Sequence, residues 1–125
     1  MRHQKRGRKL GLRIAHKLSL MRNLACSLIR HGRVRTTIPK GKELQRFIEP
    51  LVTLAKEDTI HHRRRAARHI HDKEALQSLF GELGPELKDI PGGYTRLIKL
   101  GYRSGDGAPI CFVEFITHTP TLESR

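Results

Sequence analysis

The sequence predicts an α+β domain in which helices pack on one face of a small three-stranded sheet, preceded by a basic extended arm. Three observations predict it. Apolar residues keep a helical period through two-thirds of the chain, switch to a period of two in the last third, and are absent as a pattern from a cationic first stretch. The 125 residues suffice for one core. The expected boundaries are an arm at 1–13, a single domain at 14–116 and a loose tail at 117–125.

The arm carries six Lys or Arg and two glycines in its 13 residues, too little apolar area to fold alone. It is expected to order only against a polyanion. The first helix places Met21, Leu24, Ala25 and Leu28 on one face, with Arg22, Asn23, Ser27 and Arg30 on the other. Gly32 is its expected C-terminal stop, Arg30 and His31 suit the dipole there, and its start lies at Ser19 or as early as Ile14. Arg33–Ile38 alternates and is β-branched, a strand closed by Pro39. Leu44, Phe47, Ile48, Leu51, Val52 and Ala55 predict a second helix, with a kink or restart at Pro50. A short basic helix is expected within 60–71. Asp72 should cap another helix bearing Leu76, Leu79, Phe80 and Leu83, stopped by Gly84-Pro85. Residues 94–102 and 110–116 are two strands of a hairpin joined by a glycine-rich turn, and the sheet is mixed or antiparallel.

Charge narrows the function. Lys and Arg number 25 against 12 carboxylates, a formal charge of +13. The first 42 residues hold 13 of the cations and no acid. Through Lys73 the balance is 20 to 5, and beyond it 5 to 7. The front of the chain is therefore suited to phosphate, each neutralising contact releasing condensed counterions. The candidate contacts are Arg2, His3, Lys5, Arg6, Arg8, Lys9, Arg13, His16, Lys17, Arg22, Arg30, Arg33, Arg35, Lys40, Arg63, Arg64, Tyr94 and Arg96. Within Gly92-Gly93-Tyr94-Thr95-Arg96, Tyr94 either stacks a base or packs in the core, and Arg96 is the expected phosphate clamp.

Other classes fit poorly. No catalytic motif or paired-carboxylate arrangement appears, so no catalytic residue is assigned. Eight histidines invite a metal, but those between 61 and 71 lie among four arginines and lack the spacing of a structural site, so no metal or other cofactor is expected. Cys26 and Cys111 are read as reduced, inert thiols. No apolar run approaches membrane-spanning length, no secretory signal is present, and no dimer seam is readable. The expected setting is cytoplasmic, without a membrane partner or a homo-oligomer. A free nucleic-acid architectural protein is the alternative from another class.

Read together, several strings resemble one family. They are Met1-Arg2-His3, Arg22-Asn23-Leu24-Ala25, Thr36-Thr37-Ile38-Pro39-Lys40, Glu49-Pro50-Leu51-Val52-Thr53-Leu54-Ala55-Lys56, Leu79-Phe80-Gly81-Glu82-Leu83-Gly84-Pro85, Gly92-Gly93-Tyr94-Thr95-Arg96 and Gly105-Asp106-Gly107-Ala108-Pro109. In this order, over residues 1 to about 116, they resemble the bacterial large-subunit ribosomal protein family L-seventeen. The resemblance implies a small α+β protein with a basic N-terminal extension. It further implies binding to large-subunit ribosomal RNA, contacts with neighbouring ribosomal proteins, and no catalysis. Residues 11–18 depart from the family pattern: Leu12, Ile14 and Ala15 replace small polar and arginine residues before His16, and Lys17 replaces an arginine.

Overall fold

The structure, a computed structural model, describes residues 13–117. The order is α1 (Ile14–His31), β1 (Arg33–Thr37), α2 (Ile38–Ala55), α3 (Ile60–Ala67), α4 (Lys73–Ser78), a π turn (Leu79–Leu83) with a further helical turn (Gly84–Glu86), then β2 (Thr95–Tyr102) and β3 (Pro109–Phe115). The expected arm at 1–13, Arg13 apart, and the expected tail at 117–125, Thr117 apart, lie outside the described residues.

The apolar spacing of α1 buries Met21, Ala25, Leu28 and Ile29. The helix starts at Ile14, the earlier of the two expected positions. It ends where Gly32 turns left-handed at φ 80° and donates its N–H to the Leu28 carbonyl. Pro39 does not close β1 so much as open α2. It sits in the first helical turn, where a missing N–H costs nothing, and α2 begins one residue earlier at Ile38. Nor does α2 restart at Pro50, which lies within one helical element on its exposed side. Pro50 leaves the Arg46 carbonyl without its intrahelical donor, while Leu44, Ile48, Leu51, Val52 and Ala55 keep the helix seated in the core.

Asp72 caps α4 as expected, accepting from the Glu74 N–H at 3.0 Å and the Ala75 N–H at 3.5 Å. Gly84-Pro85, however, does not stop the helical path. The chain widens into the π turn, burying Leu79, Phe80 and Leu83 together, and then makes its last helical turn.

The sheet is antiparallel throughout, in the order β1-β3-β2. Its pairing aligns Val34, Val113 and Leu97 on one face, and Arg33, Glu114 and Arg96 on the other. The first face meets α2 closely: a Cβ at Gly41 would stand 2.8 Å from the Cys111 sulfur and 3.0 Å from a Val113 methyl. The main helical neighbours of the sheet are α1 and α2. One buried cluster draws on α1, α2, the helical segment beyond, and the inward residues Cys111, Val113 and Phe115 of β3.

Gly105 and Gly107, at φ 101° and 70°, shape the loop between β2 and β3. Arg103 pairs with Asp106, whose carboxylate also accepts from the Ala108 N–H at 3.1 Å. These contacts hold the Asp106 pKa down at about 2, with the Arg103 hydrogen bond the main cause. A folded-state value below the ordinary one means that the loop's order is complete above pH ~4 and is lost as pH falls through about 2. The Ala108 amide shift should therefore follow a titration centred near that pH. A midpoint at the ordinary aspartate value would show that the contact is not made in solution.

Candidate nucleic-acid interface

Of the cations singled out in the sequence, Arg2, His3, Lys5, Arg6, Arg8 and Lys9 lie outside the described residues. The remainder fall into groups. Arg13 and His16 are exposed at the start of α1, where Arg13 holds the N-cap position and its carbonyl accepts from the Lys17 N–H. The Lys17 ammonium turns inward to Glu43, 3.4 Å away on α2, so it joins the two helices. Arg22 and Arg30 share one face of α1 with Ser19, Asn23 and Cys26, because positions three and four apart align along a helix. That face lines an open groove of about 650 Å³, closed on its far side by His71 and Asp72.

Arg33, Arg35 and Arg96 project from the sheet face opposite α2, as strand alternation and register require. Arg33 lies over the Phe112 ring, 3.7 Å from its centroid. Arg35, Lys40 and Arg64 form no ion pair with the described residues, which leaves their charge available to an outside anion.

One expectation needs correction. Tyr94 offers no face for a base: it is 2 % exposed, its N–H donates to Glu49 at 3.2 Å, and its hydroxyl lies 3.1 Å from that of Thr53. The Lys56 ammonium stands over the ring, 4.7 Å from the centroid. Gly93, at φ 64°, lets the loop turn onto α2. The Gly92-Gly93-Tyr94 string thus docks the hairpin to the core. Burial raises the Glu49 carboxyl pKa, with the Tyr94 and Gly93 N–H groups working against the rise.

Arg96 has a second task in the fold. Its Nε donates at 2.9 Å to Glu114, which is fully buried in the middle of the sheet. Arg33 approaches the same carboxylate from the other side at 3.9 Å, an ion pair too long for a hydrogen bond. Arg96 therefore holds a buried charge whatever else it touches. Loss of a partner from a wholly buried pair costs about 3–5 kcal/mol, but Arg96 is 47 % exposed and an exposed pair is worth at most about 1 kcal/mol. Arg96→Ala should thus lose about 1–2 kcal/mol of stability, read by urea denaturation. A midpoint equal to that of the wild type would show that the pair contributes nothing.

Arg63 is similarly engaged, bonding Asp58 through Nε at 2.6 Å and a terminal nitrogen at 2.8 Å, above the Phe80 ring. Arg64, one position on, is exposed. The residues that sequence reasoning missed are Asp72 and Glu114. Asp72 carried a signal, since an N-cap near a basic helix end can take an ion pair, and Arg30 supplies it. Glu114 carried one only in the alternation of its strand.

Chemistry beyond charge is sparse. Among the described residues no three His, Cys, Asp or Glu side chains converge to hold a metal. The thiols of Cys26 and Cys111 are free, and burial raises both pKa values, which keeps them protonated and weakly nucleophilic. No described helix is long and apolar enough to cross a membrane.

Residues 20–116 match the family described as Ribosomal protein L17. The chain belongs to that family. This L17 protein is accordingly a constituent of the large ribosomal subunit, and its setting is the cytoplasmic ribosome. The matched span begins within α1 and covers every described element after it, including the arginine face of the sheet and all of the groove lining except Ser19.

Proposed function

We propose that this L17 protein binds large-subunit ribosomal RNA through its basic N-terminal arm and continues the contact over the exposed cations of α1 and the outer sheet face. The observation that carries the reading is the charge distribution: 13 cations and no acid over the first 42 residues. Cations so concentrated meet phosphate and release its counterions, so affinity should come mainly from the RNA backbone and the shape of the RNA rather than from base edges. The role is structural rather than catalytic, and neighbouring ribosomal proteins share the surface.

Within this reading the cations have distinct tasks. Arg13, His16, Arg35, Lys40 and Arg64 form no ion pair among the described residues and are the cations that meet phosphate in this reading. Lys17, Arg63 and Arg96 also hold the fold together through their ion pairs, while the exposed sides of Arg63 and Arg96 keep further donors for phosphate. The test is retention of isolated large-subunit RNA by the purified chain over a salt series. A steep linear fall of log affinity with log salt, its slope amounting to several phosphates, is the expected result. Affinity that is weak and flat with salt would sink the reading.

A further inference from the structure

We propose that the groove between α1 and the 68–72 connector seats one phosphodiester group of the RNA backbone, with Arg22 as its main ligand and Arg30 and His31 at its rim. The inference rests on the RNA-binding reading above and assigns it a specific seat.

Three observations converge there. The first is an unpaired donor. Arg22 lines the groove, and its Nε is buried without a hydrogen-bond partner among the described residues. A buried unsatisfied donor is unfavourable, and a charged acceptor satisfies it best. Guanidinium also presents its N–H groups as a planar fork that matches two phosphate oxygens.

The second is the sign of the lining. Arg22, Arg30, His31 and His71 face the groove with the neutral donors Ser19, Asn23 and Ser27. Its single carboxylate, Asp72, is already occupied: it caps α4 through two N–H groups and pairs with Arg30. Arg30 has five N–H donors, and its side chain remains 45 % exposed, so its pairs with Asp72 and, at 3.6 Å, with Glu74 leave others for a ligand.

The third is the potential around the site. His69, on the connector, is held below the ordinary histidine pKa first by partial burial and next by the charges of Arg22, Arg68 and His71. Arg30 is matched by Asp72 and Glu74, whereas Arg22 meets no carboxylate among the described residues, and a cation so placed favours an anion beside it. The groove is open and much larger than a phosphate group, which suits a strand passing over it rather than an enclosed small ligand.

The probe is isolated large-subunit ribosomal RNA, bound to the full chain over a salt series. Arg22→Gln should weaken binding about tenfold and reduce the salt slope by about 1. Arg22→Lys should keep the slope but recover only part of the affinity, since it keeps the charge and loses the fork. Ser19→Glu, an exposed substitution on the rim, should weaken binding without changing the melting temperature, and it decides the matter if Arg22→Gln disturbs the fold. Wild-type affinity and slope in both Arg22→Gln and Ser19→Glu would overturn the seat while leaving RNA binding intact. Unchanged RNA affinity with lost incorporation into the subunit would overturn it too, pointing to an acidic group of a protein neighbour. Failure of the wild-type chain to bind the RNA would remove the broader reading as well.

Discussion

Gly84→Ala should destabilise the protein by about 3 kcal/mol, because a Cβ at this position would lie 2.1 Å from the Ala55 carbonyl oxygen and 2.8 Å from its carbon. Real contacts do not approach so closely, and the obstacle is backbone that no rotamer change can move aside. The end of the π turn would have to retreat from α2, opening the contacts of Leu79, Phe80 and Leu83. A small domain has only about 5–15 kcal/mol of stability, so the loss is a large share of it. The measurement is thermal unfolding by circular dichroism, with an expected fall of roughly 10 °C. Gly81→Ala is the control: a Cβ there meets nothing within 4 Å, so the variant should match or slightly exceed the wild type. Equal melting temperatures for both variants and the wild type would mean that the turn is not packed on α2 in solution.

The same glycine shows where the sequence was legible and where it was not. Gly84-Pro85 reads locally as a helix stop, since both residues interrupt helices in isolation. Tertiary packing decides otherwise, because only glycine lets the turn touch the Ala55 carbonyl. Pro50 is a similar case: its local cost is real, yet the buried Leu44, Ile48, Leu51, Val52 and Ala55 of α2 hold the helix through it. The periodic elements, by contrast, were readable to within a few residues, because the α1 stripe, the Asp72 cap and the alternation of β2 and β3 are local patterns that the core only had to accept.

The site divides along the same line. That Arg22, Asn23, Ser27 and Arg30 share a face follows from helical spacing alone, and they do line one groove. That His71 and Asp72 close the groove depends on how the connector folds back, which no spacing reveals. Tyr94 and Arg96 stand in one string with different neighbours, Glu49 and Thr53 from α2 for one and Glu114 from β3 for the other. Both partners are distant in sequence, so composition could suggest RNA contact for either residue but could not weigh it against these bonds.

Deleting residues 2–13 should leave a folded domain that no longer enters the large subunit stably. The deleted stretch removes six Lys or Arg and no carboxylate, while the buried cluster is drawn from Met21 onward. Stability should therefore change little, apart from fraying at the first turn of α1, which has no side-chain cap to lose. Binding should change greatly. If four to six of those cations neutralise phosphates, their removal lowers the salt slope by about 3–5, and affinity at physiological salt falls by several powers of ten. The measurement is a sucrose gradient of cell lysate, before and after a high-salt wash, with the full-length and truncated chains detected by blotting. The full-length chain should stay with the large subunit through the wash, and the truncated chain should appear at the top of the gradient with an unchanged circular dichroism spectrum. Truncated protein at full occupancy after the wash would remove the arm from the binding surface and leave α1 and the sheet face to supply it.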